Sequence, residues 1–236
     1  MAIGNSVNDE IREQQKKVLQ EKGFVGRFEY FFYYYKWHVI IGAVVAVLLT
    51  SFIVQIVTKK DTALQVAFIN GFPNIETTEF MADFSAFAEL DESKEEAVLD
   101  ASFYINTEST TMYDEQYAEK IFIMSSAGAL DVCIVDESYF PTLAEGGYLL
   151  DLSEVLAEDE LANYGDKVFY HDSPNNMYEG VQPVGIEVSD AIRLVATESF
   201  PNSKAYFCII MNTEHLDHSL KFLDYLYTAP TDTVNQ

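Results

Sequence analysis

The stretch WHVIIGAVVAVLLTSFIVQIV, Trp37 to Val57, decides how this chain is organised, because it contains no Asp, Glu, Lys or Arg. As a helix rising about 1.5 Å per residue it covers roughly 30 Å, the hydrocarbon thickness of a bilayer. Lys36 precedes it, and Lys59 and Lys60 follow it. A helix on the surface of a soluble domain keeps a polar stripe, and this run keeps none. It therefore reads as a transmembrane helix. A cleaved signal peptide begins near residue 1 and has a shorter apolar stretch followed by a small-x-small site. This run starts at residue 37 and leads into VQIVTKKDTALQ, with no nearby cysteine for a lipoprotein box. The expectation is an uncleaved signal anchor.

Two features flank it. Upstream, eight of the ten residues from Phe28 to Trp37 are aromatic. Tyr and Trp favour the headgroup region, where the ring is half-buried and its polar atom stays wet. Tyr33, Tyr34, Tyr35, Lys36 and Trp37 on one side, with Lys59 and Lys60 on the other, are the expected membrane-interface residues. Six basic residues (Arg12, Lys16, Lys17, Lys22, Arg27, Lys36) lie before the run, and only Lys59 and Lys60 lie between it and Lys94. Positive charge stays on the cytoplasmic side, so the amino terminus is expected in the cytoplasm and the remainder outside the cell.

Charge divides the chain the same way. Residues 1–36 carry six basic and five acidic groups, or +1, whereas residues 61–236 carry six basic and 33 acidic groups, or −27. Such a domain repels nucleic acid and anionic lipid, and no D-x-[DN]-x-[DN]-G calcium loop is present to use the acids. The expected division is a cytoplasmic arm with an aromatic belt (1–36), a transmembrane helix that takes the bilayer as its partner (37–57), a short linker (58–62), an α/β domain (63–228) and a frayed tail (229–236). The arm favours helix over 8–22, with Asn8 as N-cap and Gly23 after its end.

Within the outer part, apolar runs and helical stripes alternate. ALQVAFIN, Ala63 to Asn70, reads as a first strand closed by Gly71-Phe72-Pro73. Phe80, Phe84, Phe87 and Leu90 mark a helix face. Val98 to Ile105 is a second strand, and Tyr117, Ile121 and Met124 line a second helix that stops at Gly128. Leu130 to Val135 is a third strand. A short helix over 139–145 ends at Gly146-Gly147, and Ser153 is expected to cap a helix reaching Asn163. Residues 164–180 read as loop, Pro183 to Val188 and Ala205 to Met211 as strands, and Leu216, Leu220, Leu223 and Tyr227 as the face of a closing helix. This order predicts an α/β fold with a mostly parallel sheet flanked by helices. Cys133 and Cys208 each sit in an apolar run and read as buried thiols; pairing them requires that their strands be adjacent.

Three stretches resemble bacterial extracellular solute-binding proteins of the sugar-binding type. The first is SSAGALDVCIVDESYFPTLAEGGYLLDLSEVL, Ser125 to Leu156, where Ala129-Leu130-Asp131-Val132, Leu143-Ala144-Glu145-Gly146 and Tyr148 to Leu152 match the family's "DV…D" strand and "LAxxGxLxDL" helix. The second is PVGIEVSD, Pro183 to Asp190. The third is MNTEHLDHSLKFLDYLYT, Met211 to Thr228, where Phe222, Leu223, Tyr225 and Leu226 match the family's closing-helix pattern. Full members have two lobes and a lipid anchor, whereas this chain looks like one lobe on a transmembrane helix. Its aromatic KWH entry also resembles small membrane proteins of Gram-positive bacteria. The resemblance implies a single periplasmic-binding-protein-like lobe that displays a surface to a small solute, or to a membrane-protein partner.

In an open α/β sheet such a surface lies beyond the carboxyl ends of the parallel strands. The candidate ligand-binding residues are Phe72 and Asn74 after the first strand, Asn106 and Thr107 after the second, and Asp136, Ser138 and Tyr139 after the third. The alternative for each is turn or cap duty. No catalytic elbow, phosphate loop or H-E-x-x-H motif appears, and His215 and His218, three apart, lack an evident third metal ligand. The sequence therefore predicts a non-catalytic, cofactor-free binding or interaction module, or else an assembly subunit of an envelope complex.

Overall fold

The computed structural model of the chain describes residues 9–14, 16–17, 24–172 and 180–229. It divides into two compact units, Met1–Lys59 and Lys60–Gln236. In the first, residues 9–14 and 16–17 are helical. The expected N-cap Asn8 and stop Gly23 lie outside the described residues, as does the tail beyond Ala229.

Helix α1, Phe24–Thr58, runs unbroken through the aromatic belt and the apolar run. Its segment Tyr35–Val54 is long and apolar enough to cross a membrane, and none of it is buried. Thr50 donates its hydroxyl to the Ala46 carbonyl at 2.8 Å and Thr58 to that of Val54 at 2.7 Å. Such back-bonding satisfies a hydroxyl on the helix itself. Tyr35, Lys36 and Trp37 are exposed, with the Tyr35 ring edge-on to His38 at 5.9 Å. The side chains of Tyr33 and Tyr34 lie outside the described residues. Lys59 is exposed and Lys60 half-buried.

The second unit follows the order β1 (Asp61–Ile69), α2 (Thr77–Phe87), β2 (Glu95–Phe103), α3 (Met112–Ser126), β3 (Val132–Asp136) and α4 (Phe140–Glu145). A 3-10 turn at Leu152–Glu154, α5 (Glu158–Tyr164), a second 3-10 turn at Gly165–Lys167, β4 (Val168–His171), β5 (Gln182–Glu187), α6 (Ile192–Ala196), β6 (Ala205–Ile209) and α7 (Leu216–Tyr227) complete it.

The six strands among the described residues form one sheet in the order β2-β1-β3-β6-β5-β4. β1 pairs in parallel with β2 and β3, but β3–β6, β6–β5 and β5–β4 are antiparallel. The α/β architecture matches expectation; the sheet is mixed, and its parallel half is confined to β1, β2 and β3. The antiparallel half includes β4, in the stretch expected to be loop. There Val168, Phe169 and Tyr170 are too short a run to signal a strand alone. The helix expected from Ser153 to Asn163 is instead a 3-10 turn and α5. Its opening cap is Asp151, whose carboxylate accepts the Ser153 N–H at 2.9 Å.

β1 explains the layering. Leu64, Val66 and Phe68 point into one core with Val132, Ile134, Phe207 and Ile209. Ala67 and Ile69 point into a second core with Cys133, Val135, Cys208 and Ile210. A strand buried on both faces reads as a continuous apolar run. The first core is covered by α2 and α7, which contribute Phe80, Phe84, Phe222 and Tyr225. Their rings meet edge-on, Phe84 to Phe222 at 5.2 Å and Phe80 to Tyr225 at 5.4 Å. Such pairs add about 0.5–1.5 kcal/mol each beyond the area they bury. The second core is covered by Ile121 of α3 and by Phe140 and Leu143 of α4.

Arg193 of α6 closes the first core. Its Nε donates to the Thr228 carbonyl at 2.9 Å, Nη1 to the Tyr225 hydroxyl at 3.1 Å and Nη2 to the Ala229 carbonyl at 3.4 Å. The guanidinium lies 4.1 Å from the Tyr225 ring centre, and the Tyr225 hydroxyl passes the chain on to the Phe80 carbonyl at 3.0 Å. Burial pushes the Tyr225 phenol up to about 12, against the opposing pull of Arg193. One buried cation thus ties the end of α7 to α2 and α6. Arg193→Ala is expected to lower unfolding free energy by about 3 kcal/mol, because it strips a hydrogen-bonded cation from a buried network. Arg193→Lys, which keeps the charge without the fork, should recover less than half of that loss. Chemical denaturation of the three proteins measures both.

Candidate functional site

The expected surface at the carboxyl ends of β1, β2 and β3 is built around a residue that the strand pattern passes over. Asn70 ends β1 with φ 59°, a left-handed conformation that Asn tolerates better than most residues. From there its side-chain oxygen accepts the Ile105 N–H at 2.7 Å. Its amide nitrogen donates to the Ile105 carbonyl at 3.0 Å and to Asp136 Oδ1 at 2.9 Å. One side chain therefore ties together the exits of all three parallel strands.

Neighbouring candidates extend the staple. Asp136 also accepts the Ser138 hydroxyl and the Tyr139 N–H, so Asp136 anchors the turn into α4. Tyr139 is buried, which raises its phenol above its ordinary value. Asn106 accepts the Glu108 and Ser109 N–H groups and donates its own N–H to Asp114 at 2.8 Å. Asp114 and Thr111 form a capping box at the start of α3. The hydroxyl of Thr111, then the N–H groups of Asn106 and Thr111, hold the Asp114 carboxyl below its ordinary range. Asn106, Asp136, Ser138 and Tyr139 thus all take part in holding the loops. Thr107 stands exposed on the β2–α3 loop.

The groups left facing outward are of another kind. Phe72 and Tyr104, from the β1 and β2 exits, stack at a tilt with centres 5.7 Å apart, and are 58% and 50% exposed. Beside them the β1 exit is pinned to the segment after α6. Phe72 N–H donates to the Ser199 carbonyl at 3.0 Å and Asn74 N–H to that of Thr197 at 2.9 Å. A Cβ on Gly71 would fall 2.4 Å from the tip of the Phe200 ring, so a larger residue there would displace that ring. The Asn74 amide donates to Glu198 at 3.1 Å, and Glu198 is held at φ 54°. Asn74, Glu198, Leu194, Ser189 and Phe200 line an open cleft of about 640 Å³. That volume lies within the range of small-ligand sites, about 300–1,000 Å³.

Of the seven candidates, then, the structure brings Phe72 to an exposed ring pair and Asn74 to a cleft, and uses four in the scaffold. Sequence reasoning missed Asn70, Tyr104 and Glu198. The pair Asn70-Gly71 at the end of an apolar run was the available signal, because both residues tolerate φ > 0.

The histidines turn to separate partners. His215 Nδ1 lies 3.2 Å from both carboxylate oxygens of Asp131, and His218 Nδ1 lies 2.9 Å from the Ala63 carbonyl. Among the described residues no three His, Cys, Asp or Glu side chains converge as metal ligands. Cys133 and Cys208 face each other across β3 and β6. Both are free and buried, and burial pushes the Cys133 thiol up to about 12. Compared with protein-family models, curated proteins and solved structures, the chain matches none.

Two outcomes test this construction. Asn70→Gly keeps the backbone free to adopt φ 59° but removes three hydrogen bonds, and should cost about 2 kcal/mol of stability. Asn70→Ala adds left-handed strain and should cost about 1 kcal/mol more. Denaturant unfolding of both variants separates the two effects. Because the Asp114 carboxyl is depressed in the folded state, its contribution is present at and above the ordinary 3.8 and lost as pH falls through the lower folded value. Protection of the amides at the start of α3, measured as exchange relative to the intrinsic rate at the same pH, should therefore fall as the pH drops below the ordinary 3.8 in the wild type, and already be low at neutral pH in Asp114→Ala.

Proposed function

We propose that this chain is a single-pass membrane protein that displays an acidic α/β domain outside the cell, where it serves as a non-catalytic binding or interaction module. The observation that carries this reading is the bare apolar segment Tyr35–Val54, of which nothing is buried. A core helix of a soluble protein would be covered, and an uncovered one of this length is at home in hydrocarbon. The aromatic belt and the excess of positive charge before the helix favour a cytoplasmic amino terminus. The domain is read as one lobe of the solute-binding type, in which the β1–β3 exits and the adjoining cleft form the contact surface. Support for a binding role comes from the groups that face outward there. They are the Phe72–Tyr104 pair and the cleft beside Asn74, while the polar candidates hold the loops in place.

The charge favours a second reading, a structural subunit of an envelope complex with no small ligand. A domain at −27 outside the membrane is suited to a partner with a basic face.

Protease added to intact cells should digest the domain beyond residue 60 and leave the amino-terminal arm protected; the reverse pattern would overturn the orientation. Sugars, peptides and divalent cations screened against the full chain in detergent should include one that raises its melting temperature by about 2 °C or more. Ligand silence with a crosslinked membrane partner would move the conclusion to the assembly reading. Silence together with no partner would sink both.

A further inference from the structure

β2 forms one margin of the sheet: it pairs with β1, and among the described residues no strand lies on its other side. The register fixes which of its groups turn outward. Asp61 N–H donates to the Lys94 carbonyl, and Asp61, Leu64 and Val66 lie opposite Glu95, Ala97 and Leu99. In a parallel ladder this places Glu96 and Val98 against β1 and turns the peptide groups of Ala97 and Leu99 away from the sheet. A row of such groups is a template for another strand. Proteins usually blunt such a margin with charged side chains, Pro or a covering element. Here the strand is EEAVLDASF: it has no Pro, and its charges are all acidic, so they turn away a like-charged strand and leave a basic one able to pair.

A cleft of about 350 Å³ lies between β2 and α2, floored by Met81, Ser85 and Leu99. Ala97, one of its walls, is small and half-buried, so another backbone can approach closely. The rim is acidic: Glu92, Glu95 and Glu96 line the cleft, and Lys60 is the one cation among the described residues that line it. Glu92 and Glu96 make no ion pair among the described residues.

We propose that β2 is a docking edge that accepts one additional strand, an extended lysine- or arginine-rich segment of a partner protein lying along the cleft between β2 and α2. The inference rests on the interaction-module reading and names the partner's chemistry. Main-chain bonds to Ala97 and Leu99 supply affinity, and Glu92 and Glu96 supply selection for positive charge. A second copy of this chain is a poor occupant. Two β2 strands side by side would set Glu95, Glu96 and Asp100 against their own kind, and like charges across a strand pair repel.

The test uses the full chain in detergent micelles and two synthetic peptides of about eight residues, the usual reach of a strand, one alternating Lys with Val and one alternating Glu with Val. The Lys–Val peptide should bind, slow hydrogen exchange at the Ala97 and Leu99 amides, and weaken as salt rises; the Glu–Val peptide should not bind. Ala97→Pro deletes an outward N–H, which an edge strand tolerates. It should weaken binding about tenfold, the worth of one lost hydrogen bond, and leave the unfolding transition in place. Should Ala97→Pro fail to fold, the double variant Glu92→Gln, Glu96→Gln serves instead. It leaves the backbone intact and should reduce both affinity and its salt dependence. Binding that leaves the Ala97 and Leu99 amides unprotected would overturn the proposal, as would self-association through β2. A Lys–Val peptide that does not bind, while another ligand shifts the melting temperature, would also overturn it and leave the interaction-module reading standing.

Discussion

The fold depends on β1 being apolar on both faces. Leu64, Val66 and Phe68 need cover on one side and Ala67 and Ile69 on the other. A strand so placed must be internal, flanked by partners that share its backbone groups and sandwiched by helices. β3 and β6 continue the requirement, and every residue of β3 is buried. Once these strands lie side by side, α2 and α7 are drawn to one face, and α3 and α4 to the other. The aromatic cluster of Phe80, Phe84, Phe222 and Tyr225 fills the space on the first face. Arg193 then closes that cluster with hydrogen bonds that would be needless at a surface.

The same burial sets what could be read from the chain. β1, α2 and α7 were legible because each carries a long signal: a continuous apolar run for the strand, and Phe80 with Phe84, or Leu216 with Leu220 and Leu223, at helical spacing for the helices. The direction of β6 was not. An apolar run such as AYFCI looks the same whichever way it points, and strand polarity follows from connections that composition does not encode. β4 escaped notice because Phe169 and Tyr170 belong to a strand of four residues at the sheet margin, where few positions need to be buried. The site was legible only in location. That the strand exits converge follows from topology, but which side chains hold them and which face outward depends on hydrogen bonds across the chain. Asn70 reaches Ile105 and Asp136, 35 and 66 residues away, and no local window contains that information.

The acids divide by the same logic. Asp114, Asp131, Asp136 and Asp151 are buried, and each accepts at least one backbone N–H, from a turn or helix start for Asp114, Asp136 and Asp151 and from Gln65 in the middle of β1 at 2.7 Å for Asp131. A buried carboxylate is tolerable when its oxygens collect such donors. These four act as joints in the scaffold, and most of the others remain in solvent, where they set the charge of the domain.

Cys133 and Cys208 sit where the parallel and antiparallel halves of the sheet meet. Their thiols are buried and held far from ionisation at neutral pH, so reagents that attack thiolates find nothing to react with while the sheet is closed. Separating β3 from β6 exposes both together and returns them to ordinary reactivity. The two sulfurs are thus a built-in gauge of how often the centre of the sheet opens, readable in the unmodified chain by the rate at which a thiol reagent is consumed.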